Sequence, residues 1–444
     1  IALAAALTVV RHTRSEEESG RRELVGAGVV GRQAGLVAAL VVTAAGCLVA
    51  GLLMTLGLVG LGYDPVGSLG ASMAMTMSGL LFAAVAAVTA QLTESARAAR
   101  GLALGVLGVA FLLRAAGDPA TPGTAMSRLS WLSPIGWLQQ LRPFSGERWW
   151  VFGLAAVAVV LLVAVSFRLS ARRDLGGGQL PMRLGPAGAA PSLRSALGLA
   201  WRLQRTTLAA WLLAFVVYGG VVGGVAKGIA AQLGTSQVLH DVLARLGGPG
   251  ALVDAYFGTV MGLLGTLAAG YAIASVLRLR SEEVAGRAEP VLATATSRLR
   301  WVASHSVFAF LGPALLLVLG GLATGLAYGA AVGDLPQQSG RLVVAALVQL
   351  PAVWLLAGLA LALVGVLPHA AVAASWVVLS LCVLITEIGV SLQLSQWTLD
   401  LSPFTHVPKL PGAPAAATPL LWLTALAAVL LAVGLRGMRT RDIG

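Results

Sequence analysis

The sequence predicts an all-α polytopic membrane protein built as two tandem halves. Three observations predict it. The 444 residues are 57% hydrophobic and only 11% charged, with a mean hydropathy of +0.86, where a soluble chain carries about a quarter charged residues. Apolar runs of roughly 20 residues, enough for a helix to cross the hydrocarbon core, recur along the whole chain. Finally, a charged segment occurs twice, as R-S-E-E-E-S-G-R-R-E-L-V from Arg14 to Val25 and as R-S-E-E-V-A-G-R-A-E-P-V from Arg280 to Val291. Identical residues stand at Arg14/Arg280, Ser15/Ser281, Glu16/Glu282, Glu17/Glu283, Gly20/Gly286, Arg21/Arg287 and Glu23/Glu289, each pair 266 residues apart, and Arg32/Arg298 keep that spacing. Strand-type barrels need short alternating segments, and the sequence shows none.

In chain order, residues 1–10 read as the tail of a span and 11–33 as the first charged loop. Apolar runs follow at 34–61, 69–92 and 101–113, separated by the turn Gly62-Tyr63-Asp64-Pro65 and a brief polar loop at 93–100. Residues 114–148, with Trp131, Pro134, Trp137 and Pro143, resemble short helices at the membrane interface. A span is expected at 151–167. Glycine and proline at 176–191 break helices and mark a linker. Residues 192–205 read as an amphipathic interface helix, with Arg194, Arg202 and Arg205 reaching headgroups. Further runs lie at 208–225, 255–276, 301–330, 342–367, 370–388 and 416–435, with the second charged loop at 278–300. Gln349, Pro351 and Pro313 are candidate kinks.

The domain reading is therefore 1–175 as a first membrane half, 176–191 as a cytoplasmic linker and 192–444 as a second half. Two more echoes support duplication: Leu132-Ser133-Pro134 with Leu401-Ser402-Pro403, and Arg173-Asp174-Leu175-Gly176 with Arg441-Asp442-Ile443-Gly444. The halves share one direction across the membrane, which implies a pseudo-twofold axis along its normal. The second half has about a hundred residues before its charged loop and the first only 13. Roughly 80–90 residues, one span and part of the next, are expected to precede Ile1, giving twelve spans in two six-helix halves. With both charged loops inside, most of the 30 basic residues fall on the inner side, as the positive-inside rule requires. That arrangement explains the +12 net charge better than nucleic-acid binding.

No phosphate loop, zinc-protease motif, CxxC pair or nucleophile elbow stands in the sequence; each is defined by its spacing. The expectation is a protein that is not an enzyme and holds no cofactor of its own. Cys47 and Cys382 lie within apolar runs and read as small membrane residues. The five histidines show no ligand or relay spacing. Topology alone explains the loop arginines but not three retained glutamates per copy. Docking on a partner is therefore the preferred reading of Glu16, Glu17, Gly20, Arg21 and Glu23, and of Glu282, Glu283, Gly286, Arg287, Glu289 and Pro290.

The pattern E-E-x-x-G-R-x-E-x-V-L-A-T, Glu282 to Thr294, resembles the first intracellular loop of ABC-2-type (type V) exporter permeases. Ala90 to Leu104, A-Q-L-T-E-S-A-R-A-A-R-G-L-A-L, and Leu132 to Trp137, L-S-P-I-G-W, are similar to the duplicated actinobacterial polyketide-antibiotic and tetronasin-type multidrug efflux permeases. The first loop departs from the pattern after Glu23. The resemblance implies a multi-pass permease of the bacterial inner membrane, carrying hydrophobic or amphipathic compounds outward. It implies two copies of an ABC ATP-binding subunit docked on the two loops, with ATP and Mg bound there. A lipid or glycan exporter, an ion-driven secondary transporter and a non-transporting scaffold are the alternatives. Arg114 and Glu387 could pair as an outer gate, although each reaching the water interface is the simpler reading. Met73, Met75 and Met77 near Gln91 could line an apolar path, with ordinary packing preferred.

Overall fold

The computed structural model describes all residues except 118–126, 175, 181–184, 186, 234–248, 390–391 and 442–444. Among the described residues, ten helices are long and apolar enough to cross a membrane. The chain is an all-α polytopic membrane protein. It divides into two compact units, Ile1–Pro186 and Ala187–Gly444, at a point inside the Gly/Pro-rich stretch. Pro181 and Pro186 of that stretch, His240, Gly247-Gly248 and the last three residues of the second R-D echo lie outside the described residues.

The first unit opens with α1 (Ala2–Val10), which passes through a π turn (Arg11–Ser15) into one helical turn, α2 (Glu16–Glu18). Gly20 then adopts φ +71°, a left-handed conformation that costs a residue with a Cβ about 1–2 kcal/mol. The chain reverses into α3 (Arg21–Gly26), and α4 (Ala34–Gly60) crosses the membrane. The expected turn follows: the Asp64 carboxylate accepts from Gly67 N at 2.8 Å and Pro65 fills the first turn of α5 (Pro65–Leu92), a standard N-terminal device. Helix α5 is the hub and packs against α1, α4, α6 (Ala96–Gly117), α7 (Pro134–Gln139) and α8 (Trp150–Ala171).

The second unit repeats this order behind extra helix. A 3-10 turn (Pro191–Arg194) leads into α9 (Ala196–Leu233), and α10 (Pro249–Val284) carries the second charged segment at its end. Gly286 sits at φ +67°, the counterpart of Gly20, before α11 (Ala288–Leu292) and α12 (Arg298–Val332). Then come α13 (Leu335–Leu347), α14 (Leu350–Val366), α15 (Ala371–Ile388), the short α16 (Gln396–Leu399) and α17 (Ala417–Thr440). Helix α10 is enclosed by α9, α12, α13, α14 and α15.

The structure corrects one sequence expectation and refines another. The interface helix at 192–205 is not a separate element: Ala196 begins a helix that runs unbroken to Leu233, because nothing between Trp201 and Leu208 breaks one. The run at 342–367 lies within one candidate span, Leu335–Val366, whose helix is interrupted at Val348-Gln349, beside two of the candidate kink residues, with Pro351 in the first turn after the break. Pro313, by contrast, lies within a continuous α12.

The second echo acquires a structural meaning. Ser133 and Ser402 are fully buried. Ser133 Oγ donates to the Ala110 carbonyl of α6 at 2.6 Å. Ser402 Oγ lies 3.4 Å from the Cys382 carbonyl of α15 and 2.8 Å from Thr386 Oγ1. In each unit the serine of L-S-P pins the short segment beyond it to the preceding long helix. Burying a hydroxyl requires such partners.

Candidate functional site

Each charged segment is the centre of an ion-pair cluster, and the two clusters are built alike. In the first unit Glu17 is 2% exposed. Arg14 Nη1 reaches its Oε2 at 2.7 Å. Arg173, just beyond the end of α8, grips it bidentately, Nη2 to Oε1 at 2.8 Å and Nη1 to Oε2 at 2.9 Å. Arg22 also pairs with Oε1. In the second unit Glu283 is 3% exposed. Arg280 Nη1 lies 3.1 Å from its Oε2, and Arg441, just beyond α17, places Nη2 2.5 Å from its Oε1. The repeated Arg32 and Arg298 complete the pattern by donating to the backbone carbonyls of Arg173 and Arg441. Three separate echoes in the sequence thus meet at one point in each unit.

The guanidiniums left over are also satisfied in the first unit. Arg14 donates to the carbonyls of Ala90, Thr93 and Gly177, and Arg173 Nε donates to Gln91 Oε1 at 2.7 Å. The Ala96 N–H, at the start of α6, donates to Glu18 Oε1 at 2.8 Å, where the helix dipole favours an anion. The loop is therefore tied to the ends of α5, α6 and α8 together. Gln91 belongs to this cluster rather than to an apolar path; Met73 and Met75 are exposed and Met77 packs in a separate small core. In the second unit Arg441 Nε is buried without a hydrogen-bond partner.

The first acidic position of each copy pairs with an exposed arginine, although Glu16 is half-buried and Glu282 itself is buried. Arg21 lies 3.5 Å from Glu16 and is 72% exposed. Arg287 Nε lies 2.7 Å from Glu282 and is 55% exposed, and Arg278 adds a second contact to Glu282 at 2.8 Å. Glu23, Glu289 and Pro290 are exposed, as are the apolar side chains of Leu24 and Val284. Of the repeated carboxylates, Glu17, Glu282 and Glu283 are spent inside, because two or more guanidiniums converge on each, while Glu23 and Glu289 face outward. Arg114, in α6, lies 5.9 Å over the Phe111 ring, while Glu387 is exposed at the end of α15.

Burial by itself would raise the Glu17 carboxyl, but Arg173, then Arg22 and Arg14, outweigh it and hold it below the ordinary range. A carboxylate depressed in the folded state contributes stability that is fully present above its unfolded value and is lost as pH falls through the folded one. The first loop is expected to stay tied to the helix ends through neutral and mildly acidic pH and to open only below the ordinary glutamate range. Amide hydrogen exchange over residues 14–26, corrected for intrinsic rates, checks this; loosening near pH 6 would contradict it.

A family model described as the multidrug efflux system permease Rv1217c, C-terminal domain, matches residues 193–439, nearly the whole second unit. The chain is 44% identical over 443 residues to the multidrug efflux system permease protein Rv1217c of Mycobacterium tuberculosis, covering 100% of this chain and 80% of that relative.

Proposed function

We infer the role of this chain from one premise: it belongs to the multidrug efflux system permease family. It acts as the membrane-spanning permease of an ATP-driven ABC exporter in the bacterial plasma membrane. Two copies of a separate ATP-binding subunit energise it, and its cargo is hydrophobic or amphipathic. The observation that carries this reading is the pair of loops. Each is fixed from within by a buried carboxylate and presents on its outside a carboxylate, an arginine and an apolar side chain: Glu23, Arg21 and Leu24 in one, Glu289, Arg287 and Val284 in the other. Apolar side chains held exposed among charges are the composition of a docking surface. A fixed loop meets a partner without first losing conformational freedom.

The test is co-expression with the candidate ATP-binding subunit and efflux of ethidium, a planar amphipathic cation, from cells. Efflux is expected to vanish when the subunit's ATP site is inactivated. The double variant Glu23→Arg/Glu289→Arg is expected to weaken co-purification of the subunit about tenfold, with unchanged permease levels, since reversing a charge in an interface costs on the order of 1–3 kcal/mol. Efflux that survives loss of the ATP site but collapses with a proton uncoupler would replace this reading with an ion-driven one.

A further inference from the structure

The two buried clusters do more than fix a loop. Each joins the charged segment to the last long helix of its own unit, across 156 residues in the first and 158 in the second. The contact is made twice over, once through side chains and once through the backbone. Arg173 and Arg441 hold the glutamate, while Arg32 and Arg298, at the foot of the next span, hold the carbonyl of that same arginine. A loop bound this way cannot tilt without pulling on α8 or α17.

We propose that Arg173 and Arg441 are positioning residues that hand displacement of each loop to the final helix of its unit. The proposal rests on the reading that the loops take force from an ATP-binding subunit. The residues touch neither ATP nor cargo; they act through Glu17 and Glu283. Arg173 suits the task through its bidentate grip, because the planar fork resists rotation where a lysine would pivot, whereas Arg441 holds Glu283 through Nη2 alone. The two joints are unequal. The first carries an extra arginine, Arg22, and the Gln91 amide. The second lacks a counterpart of Arg22, since Ala288 stands at that spacing, and leaves Arg441 Nε unpartnered. The second joint is therefore the softer one, and loss of Arg441 severs transmission with the least disturbance to the fold.

Hydrogen exchange of the full chain in complex with its ATP-binding subunit, with and without a non-hydrolysable ATP analogue, tests this without knowledge of the cargo. In the parent, residues 280–292 and the amides of α17 are expected to respond together. In Arg441→Gln the loop still responds while the α17 response falls to a tenth or less, the factor lost with about 1.4 kcal/mol of coupling. Exchanging the charges, Glu283→Arg with Arg441→Glu, restores the α17 response. An α17 response unchanged in Arg441→Gln overturns the proposal. So does a loss of subunit binding and permease level in step with it, because the residue would then merely hold the fold. If the parent loop does not respond to nucleotide at all, the exporter reading fails instead. The joint is then decided on the chain alone: exchange over 280–292 must rise in Arg441→Gln, and unchanged protection overturns it.

Discussion

Glu17→Ala is expected to destabilise the first unit by about 3–5 kcal/mol, the usual cost of removing one partner from a buried ion pair. The magnitude follows from what remains. Arg14 and Arg173 have side chains 0% and 5% exposed, and without the carboxylate two buried cations face each other. Burial and the neighbouring Arg173 already depress Arg14 in the intact protein, against the pull of Glu17. The corresponding Glu283→Ala is expected to cost less, because Arg280 and Arg441 are 19% and 15% exposed and water can take over part of their solvation. Thermal unfolding of both variants in the same detergent measures the difference. A double-mutant cycle with Arg173→Ala isolates the pair itself. If Glu17→Ala proved no more harmful than Glu283→Ala, the greater burial of the first cluster would carry no energetic weight.

Much of this architecture is legible in the sequence, for identifiable reasons. The spans announce themselves because lipid demands about 20 apolar residues in a row. The repeated loop stands out because charge is scarce. The glycines at 20 and 286 are retained where the chain takes a left-handed turn, a requirement a reader of the repeat can suspect but not prove. What the sequence hides is that the echoes touch. Arg173 and Glu17 are 156 residues apart, and no local periodicity links them. The clues were present: an arginine three residues before each buried glutamate, which a helical turn brings alongside it, and an R-D pair recurring beyond the last span of each half. The burial of Glu17 and Glu283 is hidden for the same reason, since it depends on Arg173 and Arg441 from distant chain. The break at Val348-Gln349 was only half legible. Proline fits the first turn of a helix as readily as it stands inside one, and Pro351 does the former while Pro313 does the latter.

The contact between α14 and α17 is expected to tolerate no side chain at Gly434. A Cβ there would lie 2.7 Å from the Leu361 carbonyl carbon, and one at Gly437 would lie 2.7 Å from that of Gly365. A Cβ at Gly365 in turn would meet the Gly434 carbonyl oxygen at 2.5 Å. All three obstacles are backbone and cannot swing aside. In a membrane, helices gain little from excluding lipid, so close approach through small residues supplies the packing energy. Gly434→Leu must separate the two axes and is expected to cost about 1–3 kcal/mol, the range for overpacking. Val433→Leu, one position away on the exposed face, should change stability by less than about 0.5 kcal/mol. Thermal unfolding of the two variants decides. The consequence reaches the loop, because α17 leads directly into Arg441, whose grip on Glu283 spans 2.5 Å. Moving that helix outward by even one or two ångströms carries the guanidinium out of hydrogen-bond range. Gly434→Leu should therefore raise hydrogen exchange over 280–292 while leaving 14–26 protected, a pattern that general destabilisation of the protein would not produce.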